Sequence, residues 1–258
     1  MAPQDVFTAL RDQNPLVHCI TNYVAMNIAA NVVLAAGASP AMVHAPEEIV
    51  DFTPLCGALT INIGTLSTPW RASMIAAATV AADRKIPWVL DPVAHFISAY
   101  RKSAAQDLLS LRPTIVRGNA SEILALAGEI GSGKGADSGD SVDAAQGAAK
   151  RLAKQSGAVV AITGPVDYVT DGTQEAQVTG GSALMPLVTA LGCSQTALMG
   201  AYAASGPAFE ASLAALAHFK VAGSLAAGRA NGPGSFQVHF LDALAAAQPA
   251  DLAQAILR

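Results

Sequence analysis

Between Leu187 and Gly200 the chain reads LVTALGCSQTALMG, a Thr/Gly turn running straight into a helix expected to begin at Cys193. The first N–H groups of a helix have no partner within it and carry the positive end of its dipole, so such a turn can hold a phosphate. That makes it a candidate for phosphoryl transfer, although glycine before a helix is also an ordinary packing device. In open parallel sheets, ligands sit beyond the carboxyl ends of the strands. The polar residues just after each apolar run are therefore the next candidates: Thr21, Asn22, His44, Asn62, Gly64, Thr65, Asp91, Arg117, Asn119, Glu122, Thr163 and Gly164.

Asp91 ends PWVLDPV, and Glu122 falls in the first turn of the helix expected after RGNAS. Two carboxylates at neighbouring strand ends can hold Mg²⁺, directly or through water, against the phosphates of a nucleotide. Equally, Asp91 can cap a turn before Pro92 and Glu122 can complement a helix start. Arg117, at the end of TIVRGN, offers a planar fork for bidentate phosphate contacts or a structural partner for either acid. Thr163-Gly164 presents a hydroxyl and an unshielded amide to a phosphate, or is an ordinary turn. His44 and His95 lie near strand ends without an orienting acid in sequence, which favours a structural or substrate-lining role over that of a base. His18, His218 and His239 lack metal-ligand spacing, and there is no GxxxxGK[ST] or GxGxxG.

The elements that must position these residues follow from the alternation of short β-branched runs with longer alanine-rich stretches. SPAMVHA, ALTINIG, PWVLDPV, TIVRGN and AVVAITG alternate with helical spacing, the pattern of an α/β fold with a mostly parallel sheet covered on both faces. Thr21 or Asn22 starts a helix over VAMNIAANVVLAAG that stops at Gly37, and Pro46 with Glu47 and Glu48 opens the next. Residues 128–140, rich in glycine and serine, read as a surface loop. VDYVTDG and TQEAQVTG form a hairpin beside AVVAITG. Residues 193–229 read as helical, followed by GPGS leading into FQVHFLDALAAA.

The 258 residues are expected to form one domain, 1–258, large enough to bury an ample core. A net charge of −4, 13% charged residues and no basic run leave no footprint for nucleic acid or an anionic membrane surface. Mean hydropathy is +0.39, yet every apolar stretch is broken well short of the ~18 to 20 residues that span a bilayer. The first residues lack the apolar core of a secretory signal, so a cytoplasmic protein is expected. Cys19, Cys56 and Cys193 are an odd number with no close pair, which argues against a disulfide framework or a zinc site.

Taken together, PLVHCITNYVAMN, ASPAMVHAPEE, NIGTL, DPV, RGNASEILALAG, ITGPVDYVTDG, VTALGC and GPGSF resemble, in order and spacing, the hydroxyethylthiazole kinase family from about Pro15 to Ala243. The resemblance implies a ribokinase-like three-layer α/β/α fold and a homotrimer with sites at subunit interfaces. It also implies Mg²⁺-dependent transfer from ATP to the hydroxyl of 4-methyl-5-(2-hydroxyethyl)thiazole. By matching positions, Asn22, Met42, Thr65 and Ala190 would line the thiazole pocket, and Arg117, Thr163 and Gly164 would contact ATP. Asp91 and Glu122 would organise the magnesium, and Cys193 with Gly192 and Ala190 would form the turn where transfer takes place.

Cys193 matches the position where other ribokinase-like enzymes place an aspartate base, and it either acts as base or orients the hydroxyl. The usual glycine-rich turn before it has Ala190-Leu191 here, and the usual GAG after DPV is Ala94-His95-Phe96. A positive φ at position 190 would cost roughly a kcal/mol. His95 and Phe96 add bulk beside Asp91. These departures leave open a kinase of another small heteroaromatic alcohol, or a thiazole or nucleotide binder with weakened catalysis.

Overall fold

The computed structural model describes residues 1–129 and 140–257. Residues 130–139, most of the run read as a surface loop, lie outside the described residues. The chain begins with α1 (Pro3–Gln13), β1 (Leu16–Ile20), α2 (Met26–Ala36), β2 (Ser39–Ala41) and the short α3 (Ile49–Phe52). There follow β3 (Ala58–Asn62), α4 (Thr68–Arg84), β4 (Trp88–Asp91), α5 (Ala99–Ser110), β5 (Ile115–Asn119), α6 (Ala120–Leu126) and α7 (Val142–Ser156). The last part holds β6 (Val159–Thr163), β7 (Asp167–Thr170), β8 (Glu175–Val178), α8 (Leu191–Ala203), α9 (Ala208–Ala227), α10 (Pro233–Ala246), α11 (Pro249–Ala253) and β9 (Ile256–Leu257).

Among the described residues the strands form one nine-stranded sheet in the order β2-β1-β3-β4-β5-β6-β7-β8-β9. Pairing is parallel from β2 to β6 and antiparallel beyond it, where the expected hairpin β7–β8 extends the sheet. From β1 the chain runs out to the edge strand β2 and returns to β3 on the other side of β1. The crevice between β1 and β3 is therefore the switch point where α/β sheets bind ligands.

Side chains alternate across the sheet as the two-residue period requires. In β6, Val159 and Ala161 enter the core beneath α1, α2, α8, α9 and α10, whereas Val160 and Ile162 enter the core with α6 and α7. Ile20, Leu59, Ile61 and Leu90 pack under α3, α4 and α5. Strands covered on both faces have no polar side to show, which is why their sequences are near-continuous apolar runs.

Four local boundaries differ from the sequence reading. The helix expected to start at Thr21 or Asn22 starts at Met26, because residues 23–25 form a turn in which the Asn22 side chain accepts the Ala25 N–H. The helix expected to start at Cys193 starts at Leu191, because Ala190 turns left-handed (φ 59°) and supplies the cap. The helical stretch 193–229 is two helices broken at residues 204–207, where Ser205-Gly206-Pro207 removes helix propensity and a backbone donor. Pro46 with the two glutamates forms a turn, and the helix proper begins at Ile49. Gly37, by contrast, stops α2 as expected, at φ 102°.

Candidate active site

The carboxyl ends of β1, β3 and β4 are joined by a row of side chains. Asn22 donates to Asn62 Oδ1 (2.9 Å) and to Cys193 Sγ (3.4 Å), and Asn62 donates in turn to Asp91 Oδ2 (2.8 Å). Asn62 Oδ1 also accepts the Gly64 N–H at 2.9 Å. Gly64 has to be glycine here, since a Cβ would lie 2.6 Å from Asn22. The asparagine pair thus spans the switch point and sets the distance between Cys193 and Asp91.

Asp91 is fully buried, and its Oδ2 collects three donors: Asn62, Thr196 Oγ1 (2.6 Å) and Arg117 Nη1 (3.3 Å). Arg117 Nη2 reaches Thr163 Oγ1 (2.8 Å) and Gln195 Oε1 (3.2 Å). Two buried atoms of this cluster have no protein partner, Asp91 Oδ1 and Arg117 Nε. Burial pushes the Asp91 carboxyl upward, against the opposing pull of Arg117 and the hydrogen bonds from Thr196 and Asn62. Gln195 and Thr196 come from α8, which lies close on β3 because residue 200 is glycine: a Cβ there would stand 2.2 Å from Thr60 Cγ2.

Glu122 closes the capping box of α6. Its Oε2 accepts the Asn119 N–H (2.8 Å), and its Oε1 accepts the Ala94 N–H (2.9 Å) from the loop after β4. Burial and the neighbouring Asp91 raise its carboxyl to about 7. Asp91 and Glu122 repel one another at a buried position, and Asp91 Oδ1 lacks a donor. A small hard cation fits that arrangement, because Mg²⁺ is held by one or two carboxylates, with waters and substrate phosphates for the rest. Among the described residues no group of three His, Cys, Asp or Glu side chains converges.

Opposite the acids, the first turn of α8 has no side-chain cap. Ser194 N returns to Ala190 O (2.9 Å), so Gly192 and Cys193, one step earlier, are the positions whose N–H groups have no intrahelical acceptor. Gly192 is exposed and Cys193 half-buried. Burial, then the nearby Asp91, push the Cys193 thiol up to about 11. It is a neutral thiol at ordinary pH, suited to orienting a hydroxyl and unsuited to accepting its proton.

On the β6 side Thr163 faces Arg117, while the Gly164 N–H, offered to a phosphate by the sequence, already donates to Asp167 Oδ1 (2.8 Å). Lys220 of α9 clasps the same turn, donating to Gly164 O (2.6 Å) and Pro165 O (2.9 Å) and pairing with Asp167 at 3.4 Å. In the loop after β3, Thr65 is exposed and its hydroxyl accepts the Tyr23 N–H (3.0 Å) from the loop after β1. Met42 lies beyond β2, half-buried, and His44 ties its carbonyl (3.1 Å) to the backbone of Thr21. His44 lies against Trp70, with ring centres 4.5 Å apart and planes tilted by 33°. His95 is buried, hydrogen-bonded to Pro92 O (3.2 Å) and set edge-on to Phe96, so it fills space and does not line the cleft.

The structure therefore gathers Asn22, Asp91, Arg117, Glu122, Thr163, Ala190, Gly192 and Cys193 at one end of the sheet, with Thr65 between the loops after β1 and β3 and Met42 beyond β2. Sequence reasoning missed Gln195, Thr196, Asp167, Lys220 and Arg101. Lys220 carried a signal, being a lone charge within the apolar run of α9.

The sequence profile of the hydroxyethylthiazole kinase family matches residues 7–249. The chain belongs to that family. A hydroxyethylthiazole kinase of Roseobacter denitrificans is 82% identical over 256 residues, covering 99% of this chain and all of that protein. One of Rhizobium etli is 62% identical over 92% of this chain and 93% of its own length. The solved structure of hydroxyethylthiazole kinase from Pyrococcus horikoshii superposes with a TM-score of 0.91 at 37% identity, covering 98% of this chain and 96% of that one. A ribokinase-like protein of Enterococcus faecalis, 9% identical with a TM-score of 0.67 over 95% and 94% of the two chains, shares the fold. This hydroxyethylthiazole kinase family member is thus a kinase, a transferase, with a ribokinase-like fold.

Proposed function

We propose that the chain transfers the terminal phosphoryl group of ATP to the hydroxyl of 4-methyl-5-(2-hydroxyethyl)thiazole, a step of thiamine biosynthesis or salvage, with Mg²⁺ bound. The observation that carries this reading is the meeting, at the switch-point end of the sheet, of the uncapped α8 N-terminus with the buried Asp91–Arg117 pair. Phosphoryl transfer needs positioned groups and neutralised charge more than covalent help from the protein.

The N–H groups of Gly192 and Cys193, beyond the turn at Ala190, hold the phosphoryl oxygens along the α8 dipole. Arg117 neutralises nucleotide charge, flanked by Thr163 and the Gly164 turn. Asp91 and Glu122 would hold the cation: Asp91 Oδ1 has no protein donor, and both Glu122 oxygens already accept N–H groups. When bound, Mg²⁺ supplies charge neutralisation on the phosphates. Asn22, Met42, Thr65 and Ala190 line the alcohol side, and Cys193, fixed by Asn22, orients the hydroxyl.

The kinase works as one domain, 1–258, and as a homotrimer whose sites are completed at subunit interfaces. The exposed Tyr23 and Val24, beside Asn22, support the latter. An ATP-consuming reaction on a small alcohol supports a cytoplasmic location with neither nucleic acid nor membrane as partner. No helix among the described residues is long and apolar enough to cross a membrane. The test is incubation with Mg-ATP and the thiazole, followed by mass analysis. A thiazole phosphate formed in step with ADP supports the reading, and unmodified thiazole contradicts it.

A further inference from the structure

We propose that Arg101 is a positioning residue that fixes the alcohol-side loop after β3 relative to the carboxylate-side loop after β4. Arg101 lies in the first turn of α5, the end of a helix where a cation is disfavoured by the dipole. Among the described residues it forms no ion pair with a carboxylate, although the charge of Glu122 acts on it; the side chain turns onto main-chain carbonyls of both loops. Nη1 donates to Gly64 O (2.6 Å), Nη2 to Ile63 O (2.7 Å) and to Val93 O, and Nε to Ala94 O (3.3 Å). A guanidinium presents its donors in a fixed plane, so one side chain holds both loops at one spacing. An ammonium, a compact point charge, cannot reproduce that fork.

Each clasped loop continues into the site. Gly64 packs against Asn22 and precedes Thr65, whereas Ala94 donates its N–H to Glu122 from a left-handed conformation (φ 48°). Releasing the carbonyls would therefore loosen the alcohol pocket and the second carboxylate together, while leaving the Asp91–Thr196–Arg117 cluster intact. A residue that served stability alone would lower the melting temperature without touching kinetics.

This inference rests on the kinase reading, and the experiment separates the two. Wild type, Arg101→Ala and Arg101→Lys are compared in thiazole-dependent ADP release and in hydrogen exchange over residues 62–67 and 92–97. The expected result for Arg101→Ala is a kcat reduced about 100-fold, as for a misplacement of roughly 1 Å, with a raised KM for thiazole. Added guanidinium ion should restore part of the lost rate, and Arg101→Lys should recover less than half of it. Exchange should rise in both segments in either variant. Folded variants with wild-type kcat and KM, or with unchanged exchange in both segments, overturn the proposal. If Arg101→Ala does not fold, the same comparison with Arg101→Lys decides. Wild type without thiazole turnover would refute the kinase reading, and the exchange measurement would still decide the role of Arg101.

Discussion

Thr196 donates its hydroxyl to Asp91 at 2.6 Å, so the helix that opens beside Cys193 is fixed to the strand that ends in the buried acid. Two elements separated by more than a hundred residues in sequence thereby share one carboxylate oxygen. The first turns of α8 and the buried acid therefore cannot move independently.

Replacing Thr196 with valine keeps the shape and removes that donor. Because the group is buried, the loss should cost about 1–3 kcal/mol. In a chain of this size that lowers Tm by roughly 2–4 °C per kcal/mol. Since α8 is released at its first turns, kcat should fall about tenfold or more, with the KM for thiazole changing less. Calorimetry and steady-state kinetics on the one variant check both effects.

Cys193 should behave as a protonated thiol. With its pKa raised to about 11, roughly one molecule in a thousand is thiolate at about pH 8. Iodoacetamide should label it far more slowly than free cysteine at that pH, and Cys193→Ser should keep more activity than Cys193→Ala. Fast labelling near neutrality would mean that the thiol is a competent base after all.

The raised carboxyls give stability an unusual slope with pH. Glu122 titrates near 7 in the folded chain against about 4.3 unfolded, so between those values the native state holds a proton the unfolded chain has released. Its contribution is fully present below about 4.3 and is lost as pH rises through 7; Asp167, raised by burial to about 6, acts in the same sense. Calorimetric Tm of the ligand-free protein should therefore rise as pH is lowered from about 7.5 to 5.5, less steeply in Glu122→Gln. Activity should run the other way, because the charged carboxylate is the form that attracts a cation, so kcat/KM for Mg-ATP should fall below about pH 7.

Ala94 and Ala190 both occupy left-handed backbone, at φ 48° and 59°. An alanine there costs about 1 kcal/mol that glycine does not, partly offset by glycine's greater freedom when unfolded. Each Ala→Gly change should leave Tm the same or raise it by up to about 4 °C in calorimetry. A fall in Tm of several degrees in either variant would show that the left-handed turns are not strained.

Much of this site was legible because the β-branched runs end where the chemistry begins. Asn62, Asp91 and Thr163 each end a strand and Asn22 sits two residues past one, and a parallel sheet brings such ends together. Residues supplied by helices were not legible in that way. Thr196 and Gln195 lie within the apolar pattern of α8, and only the close approach over Gly200 turns them toward Asp91 and Arg117. Arg101 reads as an ordinary surface arginine until the two loops fold over it. The position of the α8 start depended on one backbone angle at Ala190, which side-chain type does not announce.

The most direct test is ADP release by the purified chain with Mg-ATP, with and without hydroxyethylthiazole, beside Asp91→Ala. Thiazole-dependent release that falls at least about 100-fold in the variant is the expected result. Release that ignores the thiazole, or that survives the loss of Asp91, would contradict a thiazole kinase centred on that acid.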